Sequence, residues 1–203
     1  MLVVIDYGVG NLGSILNMLK RIKADAKISS DARVIEKADK LILPGVGAFD
    51  AAMSALNSTG LIPLLNEKVL KDNTPVLGVC LGMQLLTASS EEGKLPGLGW
   101  VEGKTVKFKF PKNSGLKIPH MGWNTVKIVK EYPLLQNMPE DPRFYFVHSY
   151  HVECKNPGDV AATTHYGYDF PSVISKGNIY GAQFHPEKSH KFGMKLYENF
   201  VKS

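Results

Sequence analysis

The sequence predicts an α/β fold: a doubly wound, mostly parallel sheet flanked by helices, with a β-rich second half. Three observations carry this prediction. Short unbroken apolar runs alternate with amphipathic helical patterns up to about residue 98, as parallel strands buried on both faces and joined by helical crossovers require. The most apolar early runs, Leu2–Ile5 and Lys40–Leu43, stop at Gly- or Pro-containing turns. Beyond that point the helical period gives way to alternation of period two. The chain contains no repeat, low-complexity stretch or linker, so its 203 residues read as one domain, 1–203.

Leu2–Ile5 is the first apolar run. Asn11 stands where a helix cap belongs, ahead of Ile15, Leu16, Leu19 and Ile22 at helical spacing, with Lys20, Arg21 and Lys23 in the closing turn. Ala26–Ser29 is a short strand, and Ser30 or Asp31 caps the next helix. Lys40–Leu43 is a buried strand stopped by Pro44-Gly45. Helical patterns cover Phe49–Leu56 and Ile62–Leu70, and Pro75–Val79 is a fourth strand running into Cys80. In the second half Lys104–Phe110 alternates Lys with Val and Phe, a solvated sheet face. Thr125–Val129, Phe144–Val147, Tyr150–Glu153, Val160–Thr164 and Ile179–Phe184 are further β-like runs. Ser189 stands where it would cap a last helix through Phe192, Leu196 and Phe200.

Composition excludes several classes. With 44% hydrophobic and 21% charged residues the chain is neither disordered nor collagen-like. No apolar run approaches the ~18 residues of a spanning helix, so no membrane partner is expected. The start MLVVIDYG shows no basic region or cleavage site of a secretory signal. Two cysteines fit a reducing cytoplasm rather than a disulfide framework. The net charge of +5 comes from dispersed Lys, which argues against a nucleic-acid partner.

Gly8-Val9-Gly10-Asn11-Leu12-Gly13 has the form of a dinucleotide fingerprint. Its acid, Asp31, falls at a helix-cap position rather than at a strand tip, so these glycines read as a tight βα turn. Gly78-Val79-Cys80-Leu81-Gly82 is more telling. It has the form of a nucleophile elbow with cysteine in the serine position, at a strand-to-helix turn. The helix start favours the Cys80 thiolate, and the Leu81 N–H is placed as an oxyanion donor. A cysteine nucleophile needs a base and the base an orienter. His185-Pro186-Glu187 offers both: Pro186 holds His185 extended, and residues two apart in an extended segment face the same way. The segment follows the Ile179–Phe184 strand, at the edge of the sheet where α/β sites are built. Pro44-Gly45-Val46-Gly47 ends a strand in a loop where backbone N–H groups can approach a ligand. Gln84 lies one helical turn past Cys80, on the same face. Cys154 lacks these features and reads as structural. The remaining histidines have no comparable partner at fixed spacing, and no ligand set has zinc spacing, so neither metal nor cofactor is expected.

These stretches together resemble the class I glutamine amidotransferases of the Cys-His-Glu type, most closely the glutaminase subunits of histidine biosynthesis. The matching runs span the chain nearly end to end. They are Asp6-Tyr7-Gly8 with Gly10-Asn11, Leu43–Gly47, Gly78–Gln84, Pro119-His120-Met121-Gly122-Trp123-Asn124, Tyr145–Tyr150 and Gln183–Ser189. The resemblance implies hydrolysis of L-glutamine by Cys80, with His185 moving protons and Glu187 orienting it. It implies an oxyanion hole from Val46, Gly47 and Leu81, and glutamine contacts from Gly47, Gln84, Ser149 and Tyr150. It further implies a heterodimer with a (β/α)8-barrel cyclase subunit that uses the ammonia, met through Asn11, His120, Met121, Trp123, Asn124 and Lys188. For Trp123 the residues add their own argument: a large aromatic in a polar, turn-like setting suits a docking anchor. Two rivals stand beside this reading, with a non-catalytic binding module as a third that the intact Cys-His-Glu set disfavours. One is a stand-alone cysteine hydrolase; the other is the same glutaminase feeding a surface-polysaccharide sugar amidotransferase.

Overall fold

The computed structural model describes residues 1–203. Strands β1 (Leu2–Ile5), β2 (Ala26–Ser29), β3 (Lys40–Leu43) and β4 (Val76–Val79) form as expected, and each is four residues long. Helices α1 (Leu12–Arg21), α2 (Ala32–Glu36), α3 (Phe49–Ser58), α4 (Ile62–Asn66) and α5 (Leu81–Leu85) connect and follow them. The chain after α4 widens into a π turn over Glu67–Lys71 that keeps Val69 buried. The second half supplies β5 (Gly103–Lys107), β6 (His120–Thr125), β7 (Lys127–Ile128), β8 (Arg143–His148), β9 (Tyr150–Cys154), β10 (Val160–Tyr166), β11 (Tyr168–Lys176) and β12 (Ile179–Ala182). Helix α6 (His190–Lys202) closes the chain.

Eight strands form one sheet in the order β2-β1-β3-β4-β12-β11-β10-β7. The pairs from β2 through β12 are parallel, and those from β12 through β7 are antiparallel. Alternate strand residues feed opposite faces. Leu2, Val4, Ile42 and Leu77 pack with Ile15, Leu19, Leu196 and Phe200 from α1 and α6. Val3, Ile5, Leu41 and Val76 pack with Ile35, Phe49, Leu56 and Leu65 from α2, α3 and α4. The early apolar runs are continuous because both faces are covered. Two antiparallel pairs, β5–β9 and β6–β8, stand apart from this sheet.

Four local expectations need correction. The β-like runs read from the sequence pass over Tyr168–Lys176, where β11 forms although its Pro171 cannot donate to a ladder. It sits opposite Thr163, where the β10–β11 register shifts, so the irregular pairing accommodates it. The segment around Trp123 is a strand rather than a turn, since His120–Thr125 pair antiparallel with Arg143–His148. Asn11 and Ser189 occupy cap positions but make no side-chain capping bond. Asp31 does cap α2, accepting from the Arg33 N–H at 2.8 Å, so it takes no part in a dinucleotide site. Gly10 packs against Pro44, where an added Cβ would lie 2.8 Å from the Pro44 side chain. The early glycines therefore make a close βα turn.

Candidate active site

Strands β4 and β12 run side by side in the centre of the sheet, with Gly78 opposite Gly181 and Val79 opposite Ala182. The Cys80 N–H donates to the Ala182 carbonyl at 2.8 Å. Cys80 and His185 therefore leave the carboxyl ends of neighbouring parallel strands, where α/β sites assemble. Cys80 has φ +54° and ψ −112°, a conformation that costs a non-glycine residue about 1–3 kcal/mol and persists only where surroundings enforce it. The flanking glycines provide that enforcement. A Cβ on Gly82 would fall 1.9 Å from the Leu43 carbonyl oxygen, and one on Gly78 would fall 2.7 Å from the Gly82 oxygen. The elbow is thus pressed against β3 with no room for side chains.

His185 is extended, φ −101°, as the following proline demands, and Pro186–Lys188 form a 3-10 turn. It is this turn, rather than continued extension, that brings Glu187 under the ring. His185 Nδ1 donates to Glu187 Oε1 at 2.8 Å, with the two side chains only 3% and 1% exposed. That bond leaves Nε2 as the ring nitrogen free to take a proton from Cys80. Burial alone lowers the imidazole pKa, but the neighbouring Cys80 and Glu187 outweigh it and raise His185 to about 10. The Ser189 hydroxyl, instead of capping α6, donates to the His185 carbonyl at 2.6 Å and accepts the Tyr145 N–H at 3.0 Å. It pins the turn to β8.

Cys80 and His185 open into a cavity of about 350 Å³ that also collects Val46, Gly47, Leu81, Gln84, Ser149 and Tyr150. All the residues proposed for the oxyanion hole and for glutamine therefore converge. Leu81 begins α5, where helix geometry leaves its N–H without an intrahelical partner. Gly47 has φ +89°, and the Tyr7 hydroxyl holds the loop before it by donating to the Pro44 carbonyl at 2.6 Å. Gln84 is buried rather than solvated: its Nε2 donates to the Tyr150 carbonyl at 3.0 Å and to Gln183 Oε1 at 3.1 Å.

Sequence reasoning missed Glu92, Pro119, Val147 and His148, which line the same cavity. Glu92 accepts the Phe49 N–H at 2.9 Å and brings a carboxylate to the site; in the sequence it is one of two adjacent loop glutamates and carries no distinguishing signal. The residues assigned to a partner surface divide. Met121 and Trp123 are 61% and 48% exposed, and Lys188 is exposed with its amine 5.7 Å from the Tyr145 ring. Asn11 and Asn124 are half-buried. His120 is 3% exposed and lies beneath that surface rather than on it, because β6 turns it inward at the His148 pairing position. Nor are the other histidines without partners, since His120 meets His148 at 3.0 Å and His165 meets Asp169 at 2.7 Å. Cys154 is half-buried, and burial raises its thiol to about 12, as a structural cysteine requires. No cluster of three or more His, Cys, Asp or Glu side chains gathers at metal-binding spacing.

An elbow cysteine facing a carboxylate-held histidine across two parallel strands is a layout for nucleophilic attack by a thiol. The sequence pattern described as "Glutamine amidotransferase class-I" matches residues 3–203, and the chain belongs to that family. Within the family it is 58% identical to "Imidazole glycerol phosphate synthase subunit HisH 2" of Methanococcus maripaludis, over 100% of this chain and 99% of that protein. It is 53% identical to the protein of the same name from Pseudomonas aeruginosa, over 99% and 98% of the two chains. Among solved structures, PurLQS from Thermotoga maritima superposes with a TM-score of 0.75 at 16% identity, covering 99% of this chain and 97% of that one. A glutamine amidotransferase from the same organism gives 0.66 at 17%, covering 99% and 83%. At these identities the two structures establish the shared fold. No helix of the chain is long and apolar enough to cross a membrane.

Proposed function

We propose that this protein is the glutaminase subunit of imidazole glycerol phosphate synthase. It hydrolyses L-glutamine to glutamate and ammonia and passes the ammonia to a (β/α)8-barrel cyclase partner. The partner uses it to form imidazole glycerol phosphate and AICAR in histidine biosynthesis. The observation that carries the reading is Cys80 and His185 facing one cavity, with Glu187 bonded to His185 behind it, in a chain alignable end to end with HisH subunits.

The chemistry follows from the geometry. The raised His185 pKa lets the ring hold the proton that Cys80 gives up as its sulfur attacks. The thiolate attacks the glutamine side-chain carbonyl carbon, and the carbonyl oxygen becomes an oxyanion facing the Leu81 N–H. A second donor comes from the Val46–Gly47 backbone once its peptide turns inward, and one such donor is worth about 10²–10³ in rate. His185 Nε2 gives its proton to the leaving nitrogen, releasing ammonia and a thioester. Water, deprotonated by the same nitrogen, attacks the thioester carbon, and glutamate leaves with Cys80 restored. Glu187 stays ionised and holds the ring through each transfer. Gln84, Ser149 and Tyr150 hold the amino acid.

The exposed Met121 and Trp123 on β6, with Lys188 nearby, form the surface for the partner. Trp123 stacks flat on His190, centroids 5.6 Å apart, so the ring is presented already oriented, as interface anchors are. Cys80→Ala tests the assignment in the reconstituted complex. Glutamine-dependent synthesis should vanish while ammonia-dependent synthesis by the partner persists; loss of both, or retained glutaminase, refutes it.

A second acceptor is the rival reading. M. maripaludis has two HisH proteins, and this chain is 58% identical to the one numbered 2 against 47% for the one numbered 1. The same glutaminase chemistry in a duplicated subunit would serve a sugar amidotransferase. Ammonia transfer to the histidine precursor in the reconstituted complex separates the two.

A further inference from the structure

Two histidines in contact under β6 form a chain whose proton positions can be read from its ends. Asn124 Oδ1 accepts the Thr125 N–H at 2.8 Å, and Asn124 Nδ2 donates to the His165 carbonyl at 3.0 Å. These partners fix which end of the amide is nitrogen. The same Nδ2 lies 3.1 Å from His120 Nε2, which must therefore accept. A neutral His120 then carries its proton on Nδ1, 3.0 Å from His148 Nε2. His148 Nε2 accepts, so its proton is on Nδ1, 2.7 Å from the Tyr150 carbonyl. That carbonyl can only accept, so the far end independently demands the same tautomer. Every donor meets an acceptor with one proton per ring. A second proton on His148 would set two N–H groups against each other.

The rings have little else to turn to. Phe108, Phe146 and Phe170 pack around His148, and Phe146 and Tyr166 stack on His120. Both side chains are buried. The Tyr150 carbonyl also receives the Gln84 amide, so the chain ends where two cavity-lining residues are joined.

We propose that His120 and His148 are positioning residues: a polarised chain of neutral imidazoles linking the half-buried Asn124 on β6 to the Ser149–Tyr150 segment that holds glutamine. The proposal rests on the glutaminase reading for its ligand, but not for its proton arrangement. Losing the chain frees Ser149–Tyr150 on one side of the site and weakens glutamine binding without touching the Cys80–His185–Glu187 geometry.

The test has two arms. In the intact chain at neutral pH, ¹⁵N ring signals should show both His120 and His148 as Nδ1–H tautomers; an Nε2–H signal on either overturns the proposal and requires no variant. In a Cys80→Ala background, where glutamine binds without turnover, His120→Gln keeps a donor and an acceptor, whereas His120→Met fills the space with neither. His120→Gln should bind glutamine about fivefold or more tighter than His120→Met, the worth of one buried hydrogen bond. A purely packing role predicts equal affinity or the reverse order, and either result refutes the chain. Failure of the Cys80→Ala parent to bind glutamine would instead overturn the glutaminase reading, leaving the ring signals to judge the chain.

Discussion

Glu187→Gln isolates the orienting carboxylate with the least disturbance of shape. Glu187 Oε1 accepts from His185 Nδ1 at 2.8 Å in a nearly waterless setting, and its Oε2 has no protein partner. The amide has two ways to sit. With its oxygen toward Nδ1, the NH₂ occupies the orphan position and buries unpaired donors, at about 1–3 kcal/mol. With its nitrogen toward Nδ1, the ring proton moves to Nε2, the atom that must accept from Cys80. Either way the imidazolium loses a hydrogen bond to a charged group, worth about 1.5–3 kcal/mol, so kcat for glutamine should fall about 10- to 200-fold. The loss should stay below the ~10⁴ of the equivalent change in Ser-His-Asp triads, because a thiol ionises more readily than a hydroxyl. Glu187 does not line the glutamine cavity, so KM should stay within about twofold, as expected when only transition-state stabilisation is lost. The assay is steady-state glutamine hydrolysis in the complex, with ammonia-dependent synthesis as the control. An unchanged kcat, or a loss confined to KM, would refute the orienting role.

Two further outcomes are expected. Burial lowers His120 to about 4, His148 to about 3 and His151 in the same direction. All three folded pKa values lie below the unfolded ~6.5, so the unfolded chain binds more protons and stability falls as pH drops from about 6.5 toward 4.5, by up to ~1.4 kcal/mol per pH unit for each histidine. Urea unfolding across this window checks it; a flat profile, or no shallower slope in His120→Met, would contradict it. Gly82→Ala should destabilise by about 3 kcal/mol or more although alanine is the better helix former. The added Cβ meets the Leu43 carbonyl at 1.9 Å, against backbone that cannot yield; a variant of wild-type stability would show the elbow is looser than described.

The amino-acid sequence by itself determined the parts whose signals are local. Leu2–Ile5, Lys40–Leu43 and Pro75–Val79 read as buried strands because covering on both faces makes them uniformly apolar. Gly78-Val79-Cys80-Leu81-Gly82 read as an elbow because only glycine fits where strand and helix touch. His185 and Glu187 paired because a proline between them restricts the backbone. Other features depend on partners distant in the chain. Pro171 argues against a strand, and β11 forms only because β10 shifts register beside it. Trp123 looked turn-bound until pairing with β8 made its segment a strand, turning His120 inward and leaving the tryptophan outward. Glu92 entered the site through a loop contact with the start of α3. The His120–His148 chain was invisible for the same reason: 28 residues separate the two rings, and no periodicity records a contact that strand register alone creates. Local conformation follows from neighbouring residues, but which side chains meet across strands is decided by the tertiary packing that covers both faces of the sheet.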